Sequence, residues 1–222
     1  MSAISTQRES SEAWEQAYLR FETPAEERRK FTRRLRQAGA DGWSRDALVL
    51  DLFSGRGGGA DALREMGFAR VIELDLSARL LGAHERSSER AVADCRRIPV
   101  ASRSIDIAIV QGGLHHLPQL DEDLPTTLRE IARALKPGGL FMAVEPWRTP
   151  FLDFAHWLCA RRVARTLSSK IDALATMIEH ERTTYEAWLG NAEQILRVLD
   201  ELFTRRRMHI AFGKVLYLGT PR

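Results

Sequence analysis

Apolar positions along this chain follow two rhythms. Between residues 47 and 146, short apolar runs alternate with stretches whose apolar residues recur every three to four positions. The runs ALVLDLF (47–53), RVIELD (70–75), AVADC (91–95), SIDIAIVQ (104–111) and LFMAVEP (140–146) predict five strands. The continuous runs among them suit a parallel sheet covered on both faces. Between them, GADALREMG (59–67) reads as a helix ended by Gly67, and Ser77 as the N-cap of a helix through ARLLGAHERSSER. Thr127-Leu-Arg-Glu130 has capping-box spacing and predicts the start of TTLREIARALK, a helix that must stop at Lys136-Pro137-Gly138-Gly139.

The flanks differ. Ahead of the alternating core, Thr23, Pro24 and Glu26 form a helix start, and the helix runs to Gly39 with Phe31 and Leu35 on one face. Arg28, Arg29, Arg33, Arg34 and Arg36 read as its solvated face. After the core, residues 147–203 read as helix throughout, ending in a stripe of Ile195, Leu196, Leu199, Leu202 and Phe203. RRRMHIAF and KVLYLGT, separated by Gly213-Lys214, predict an antiparallel hairpin.

The expectation is one α/β domain over 1–222: a Rossmann-like three-layer sandwich with a mostly parallel seven-stranded sheet. Its parts would be an N-terminal helical segment (1–42), a cofactor-binding core (43–146), a helical cap (147–203) and the C-terminal hairpin (204–222).

Composition narrows the function classes. A net charge of +3 gives no case for a nucleic-acid partner. The N-terminus lacks a signal-peptide apolar region, and no apolar run approaches the ~20 residues that span a bilayer. Cys95 and Cys159 suggest no disulfide framework and fit a reducing cytoplasm. Four ligands at zinc-like spacing are missing, so no structural metal is expected. Self-association is left open.

The chemistry gathers at the strand ends. In DLFSGRGGGA, Gly55, Gly57 and Ala60 have the spacing of a dinucleotide-binding loop. Asp75, at the end of the second run, suits a ribose diol. Asp51 would repel a pyrophosphate but favour an ammonium or sulfonium group. Asp94 could accept from an adenine amino group. Three carboxylates around one pocket argue for a cationic nucleoside.

VLDLFSGRGGG, VIELDLS, VADCRRIPVASRSIDIAIVQGGLHHL and LREIARALKPGGLFMAVEP, in that order, resemble the class I S-adenosylmethionine-dependent methyltransferases, in particular the small-molecule group that includes quinone-biosynthesis enzymes. The resemblance covers about residues 47–146. It implies S-adenosyl-L-methionine as cofactor, held by the loop Phe53, Ser54, Gly55 and Gly57. Asp51 would lie near the methionine amino group, Asp75 and Leu76 at the ribose, Asp94 and Cys95 at the adenine, and the Gln111 carbonyl at the ammonium. Phe53 and Ser54 depart from the family's usual Gly-Cys, which puts the path of the loop in question.

Cytosine carbon-5 methylation, which the loop also resembles, needs a Pro-Cys pair where this chain has QGGLHHLPQL. His115 and His116 are the candidate bases, ahead of Glu145, His156, Glu181 and Tyr185. Aromatic residues of the cap (Trp147, Phe151, Phe154, Trp157, Tyr185, Trp188) could form a lid over an apolar acceptor or simply the cap's own core. Trp14, Tyr18 and Phe21 could close over the cofactor. The reading is methyl transfer to a small apolar or aromatic metabolite, with oxygen favoured over carbon or nitrogen. An NAD-dependent oxidoreductase and a non-catalytic binding module are the alternatives.

Overall fold

The computed structural model describes residues 14, 16–82 and 89–222. Seven strands form one sheet in the order β3-β2-β1-β4-β5-β7-β6. They are β1 (Val49–Leu52), β2 (Val71–Asp75), β3 (Glu89–Val92), β4 (Ile105–Gln111), β5 (Leu135–Pro146), β6 (Phe203–Ala211) and β7 (Lys214–Pro221). Neighbours from β3 to β5 pair in parallel, whereas β7 is antiparallel to both β5 and β6. A dinucleotide-binding fold has its sixth strand beside the fifth. Here an inverted strand stands between them.

The helices are α1 (described residues 14 and 16–21), α2 (Pro24–Ala38), α3 (Gly58–Glu65), α4 (Ala78–Leu81), α5 (Leu120–Ala134), α6 (Pro150–Cys159), α7 (Arg162–Leu167), α8 (Ser169–Gly190) and α9 (Ala192–Leu202). Side chains alternate across the sheet. Val49, Ile107, Ile109 and Met142 pack against Phe31 and Leu35 of α2 and Leu63 of α3. Leu50, Leu52, Ala108 and Val110 face the other way, onto Leu128 and Ile131 of α5 and Ile195 and Leu199 of α9. At about 1.5–3 kcal/mol per fully buried aliphatic side chain, these two layers dominate the fold's stabilisation.

Several local expectations hold. Thr23 and Glu26 form the capping box of α2, and Gly39 ends that helix with φ 93. Ser77 caps α4 by accepting from the Leu80 amide at 3.2 Å. The continuation predicted through AHERSS lies outside the described residues.

Others change. The third strand is Glu89–Val92, so Asp94 and Cys95 stand in the loop beyond it. α5 begins at Leu120 rather than at Thr127, which is fully buried in mid-helix. The acidic first turn Asp121, Glu122, Asp123 complements that N-terminus, and Glu130 instead accepts from the Ile98 amide at 2.9 Å. The helix ends at Ala134, and Lys136-Pro-Gly-Gly bulges out of β5, shifting its register on β4. Gly138 has φ 77, and a methyl at Gly139 would come within 2.9 Å of the Lys136 carbonyl. Phe203 starts β6 instead of ending a helical stripe.

Candidate functional site

The carboxyl edge of the parallel strands, where strand order reverses between β1 and β4, opens into a cavity of about 900 Å³. α1 and α2 wall it on one side, and α6 and α8 on another. Such edges are where open α/β sheets bind ligands.

At the β1 end, the glycine loop resolves the question raised by Phe53. Its φ is 55, the left-handed conformation that glycine adopts freely, and its ring packs so closely on Gly113 that a methyl there would lie 2.2 Å from Cγ. Gly55 (φ 55) and Gly57 (φ 79) need the same freedom. Ser54 Oγ is buried without a hydrogen-bond partner.

Asp75 fixes the loop. Its Oδ2 accepts from the Gly55 amide and its Oδ1 from the Ser77 amide, both at 2.8 Å. Each oxygen keeps a lone pair free for a ligand. Phe53, Ser54, Gly55, Asp75, Leu76, Asp94, Cys95, Gln111, His115 and His116 all contribute to the cavity wall.

Asp51 and Gly57 do not. Strand parity turns Asp51 to the α2/α3 face with Val49, beneath the loop, where a methyl on Gly59 would come within 2.6 Å of its Oδ2. There it accepts from the Ala60 amide. Burial pushes its carboxyl well above the usual range, Glu73 adds to this, and the Ala60 hydrogen bond opposes it. Asp94 is on the wall, but Arg96 holds both its oxygens at 2.6–3.1 Å and also reaches Asp123 at 2.8 Å. That guanidinium keeps the Asp94 carboxyl below its usual range and offsets its charge. The expectation of three carboxylates around one pocket is therefore corrected: Asp51 is not on the wall, and the charge of Asp94 is offset. Asp75 is the one left facing the cavity without a cationic partner among the three.

At the β4 end, Gln111 points into the sheet's edge with both side-chain atoms buried and unpartnered. Together with Ser54 Oγ it leaves three orphaned polar atoms beside the loop. A ligand bearing an ammonium and a carboxylate, as S-adenosylmethionine does, fits that donor and acceptor set. The sequence reading assigned a role only to the Gln111 backbone.

Beyond Gln111, the turn Leu114–His116 delivers two imidazoles. Glu145, fully buried at the end of β5, accepts from the Gly113 and Leu114 amides, both at 2.9 Å, and holds His115 Nδ1 at 2.7 Å. Burial would raise the Glu145 carboxyl, but the His115 contact and the two amides outweigh it and leave it below its usual range. An anionic Glu145 places the His115 proton on Nδ1 and frees Nε2.

Glu181 of α8 completes the cluster, 3.2 Å from His116 Nδ1 and 3.8 Å from His115 Nε2. Burial pushes its carboxyl up to about 8. Burial, then the neighbouring His115, lowers His116 well below its usual range, so it stays neutral. One ligand atom from each of His115, His116 and Glu181 lies within 4.8 Å of the others, a spacing that could hold a divalent cation. Glu181 was readable only as a secondary candidate base; that it meets both imidazoles was not, because α8 is far away along the chain.

The cap divides. Phe151, Leu152, Met177 and Tyr185 line the cavity. Trp147 and Trp188 are core, the latter donating to the Pro146 carbonyl at 2.8 Å. Phe154 and Trp157 stack on each other in solvent. His156, bonded to the Tyr185 hydroxyl at 3.1 Å, stands off the cavity wall. The N-terminal cover is present: Trp14, Tyr18 and Phe21 line the cavity, and Trp14 lies edge-on to His116.

Among the wall residues that the sequence reading missed are two cations. Arg34, assigned to a solvated face, lines the cavity; Lys214, taken only as part of a turn, lines it too. Phe212 (φ 48) and Gly213 (φ 74) make a turn with both central residues left-handed, the kind that joins hairpin strands tightly. Because β7 runs antiparallel, its first residue, Lys214, then sits opposite Pro146 at the ligand edge of the sheet.

Comparison with known proteins agrees with this geometry. Residues 50–143 match the family described as a methyltransferase domain. The ubiquinone/menaquinone biosynthesis C-methyltransferase of Rubrivivax gelatinosus is 27% identical over 143 residues, covering 60% of this chain and 55% of that one. The demethylmenaquinone methyltransferase of Mycobacterium marinum is 31% identical over 152 residues, covering 65% and 62%. The chain thus spans less than two thirds of the length of these relatives. Among solved structures, the PH0226 protein of Pyrococcus horikoshii aligns with a TM-score of 0.63 at 17% identity, covering 87% of this chain and 91% of that one. The geranyl diphosphate C-methyltransferase of Streptomyces coelicolor, solved with S-adenosyl-L-homocysteine, gives 0.54 at 14%, covering 86% and 77%. The structural likenesses are of fold. Over its alternating core, the chain is similar to methyltransferases that use S-adenosylmethionine.

Proposed function

We propose that this chain transfers the methyl group of S-adenosylmethionine to a small, largely apolar metabolite that presents an ionisable hydroxyl. The observation that carries the reading is a single cavity joining the glycine loop and Asp75 to the His115–Glu145 pair and the apolar face of the cap. Its volume, about 900 Å³, has room for a nucleoside and a second molecule side by side.

Asp75 would accept from the ribose hydroxyls. Ser54 and Gln111 would satisfy their orphaned atoms on the amino-acid end, and the loop carrying Asp94 and Cys95 would border the adenine. The bound group supplies a methyl made electrophilic by its sulfonium. The chain's own part is alignment, exclusion of water and removal of one proton. His115 Nε2 takes the proton from the acceptor hydroxyl, and Glu145 stabilises the imidazolium that results. The electron pair left on oxygen then forms the new bond to the methyl carbon as the sulfonium–methyl bond breaks.

A phenolate shares that electron pair with its ring. The same base therefore serves methylation at oxygen, favoured from the sequence, or at an ortho carbon, whose proton then leaves to restore the ring. Relatives named as C-methyltransferases weigh towards the second outcome.

Incubation with methyl-labelled S-adenosylmethionine and a series of hydroxylated naphthalenes tests the proposal. Label should move to an acceptor. Glu145→Gln should lower kcat by about 10²-fold or more while leaving the affinity for S-adenosylhomocysteine nearly unchanged. Binding without any transfer, to these or to a metabolite extract, would leave only a binding module.

A further inference from the structure

The cavity wall is lined with charge, and nearly all of it is paired internally. Lys30 contacts Glu22. Arg96 is held by Asp94 and Asp123. Glu27 is taken by Arg56 at 2.9 Å and by the Tyr18 hydroxyl. Among the lysines and arginines of the wall, Arg34 and Lys214 are the exceptions. Each lines the cavity half-buried, and neither side chain makes a hydrogen bond or an ion pair to any described residue. Arg34 rests its guanidinium 5.7 Å from the Phe31 ring centre, a contact that leaves its five donors unused.

Leaving two cations half-buried and unpaired is costly, and the fold goes to some length to do it. α2 carries Arg34 inward on the turn between Phe31 and Leu35, the residues that anchor the helix to the sheet. A left-handed turn and an inverted strand bring Lys214 to the same edge. They lie close enough that Arg34 is, after burial itself, the largest cause lowering the Lys214 ammonium, to about 7. The acids that act on them are engaged elsewhere: Glu22 is held by Lys30 and Glu27 by Arg56, Glu145 is committed to His115 and two amides, and burial pushes Glu181 towards its neutral form. Around them the wall is apolar, with Phe31, Phe151, Leu152 and Met177.

We propose that the acceptor is an amphiphilic anion, an apolar ring or chain bearing a carboxylate or phosphate that Arg34 and Lys214 bind together. The inference rests on the methyltransferase reading of the same cavity and adds the charge of its second ligand. Arg34 offers a planar fork to two oxygens, and Lys214 adds a point charge from the edge of the sheet. The apolar body then lies against the cap, and its reacting hydroxyl is turned towards His115.

The test uses the full chain saturated with S-adenosylhomocysteine and three probes of one shape: 1-naphthoate, 1-naphthyl phosphate and the uncharged 1-naphthol. Titration calorimetry should show at least one of the anions binding about tenfold or more tighter than the naphthol, the range of one to two charge-assisted hydrogen bonds. Which anion wins separates a carboxylate site from a phosphate site. Arg34→Gln and Lys214→Gln should each remove most of that preference, Lys214→Arg should keep it, and none should change the affinity for S-adenosylhomocysteine more than about threefold. Equal binding of naphthol and both anions overturns the proposal. So does a result in which the glutamine variants weaken S-adenosylhomocysteine and spare the anion preference, for then the two cations hold the donor's own carboxylate. Failure of S-adenosylhomocysteine to bind the unmodified protein is a different outcome: it removes the methyltransferase reading, and the anion preference is then measured on the protein alone.

Discussion

Phe53 occupies a backbone position shaped for glycine, and its ring covers the one place where Gly113 could carry a side chain. Gly113 itself has an ordinary φ of −140, so its need to be glycine is steric and comes from Phe53. Gly113→Ala should therefore cost about 1–3 kcal/mol in urea unfolding. Phe53→Gly in the same chain should recover most of that loss, giving a strongly non-additive cycle. Additive effects would mean the ring does not hold that place. Asp51 makes a second prediction with a definite sign. Its folded carboxyl titrates well above the 3.8 of an ordinary aspartate, so the folded chain retains a proton that the unfolded chain releases. Stability from this group is complete below about pH 4 and declines as pH rises towards the folded value. Asp51→Asn should flatten that decline, and its advantage over the unmodified protein should grow from pH 4 to 7; an advantage constant with pH would refute it. The glycines and Asp75 were legible because their spacing is local. Where Asp51 points was legible too, from strand parity, but the motif's usual role drew attention away from the face it lies on.

At the scale of elements, α2 shows how a correctly read helix can be misread in function. Its capping box, proline start and glycine stop all form as the sequence implies, yet five arginines of similar spacing gave no sign of which would turn inward. That depends on what stands opposite. Arg28 meets Glu65 at 2.8 Å, whereas Arg34 meets the cavity. Thr23→Ala removes the cap and should destabilise by about 1 kcal/mol. Because α2 also carries Glu27 to Arg56 of the glycine loop and packs it over Gly58, the change should speed amide exchange in both α2 and the loop while leaving β4 and β5 protected. Faster exchange confined to the first turn of α2 would show that the helix and the loop do not move together. The opposite error occurred at α5. Thr127-x-x-Glu130 has the spacing of a cap, but Thr127 is buried against Cys95, its Oγ1 3.6 Å from the Cys95 Sγ, and Glu130 serves Ile98 and Arg133. A four-residue pattern cannot reveal that its members are engaged by another part of the chain.

Across the whole molecule, the parallel half of the sheet and the likeness to methyltransferases were readable from the order of four motifs, because each motif contains a strand that ends at the same edge of the sheet. The walls were not, since α1, α2, α8 and the hairpin turn reach the cavity from opposite ends of the sequence. That arrangement makes the donor a link between segments otherwise held together mainly through the sheet. Orphaned atoms of Ser54 and Gln111, and of Trp14 Nε1 in the cover, are satisfied in neither the unliganded fold nor an apolar core. A ligand that meets them binds the folded state alone and should raise its stability by about 2.7 kcal/mol at a hundred times its Kd. For a chain of this length that amounts to about 5–10 °C in Tm. S-adenosylhomocysteine should produce a shift of this size, and NAD at the same concentration should produce none, because the orphaned atoms of Ser54 and Gln111 suit an ammonium and a carboxylate, which NAD lacks at that end. If the cover closes on the ligand, exchange protection should extend to the described residues of α1 as well as to the loop after β1. A shift in Tm with protection confined to that loop would mean that the N-terminal cover answers to the acceptor instead, and the same measurement repeated with 1-naphthyl phosphate would then protect α1 and the Arg34 turn of α2 together.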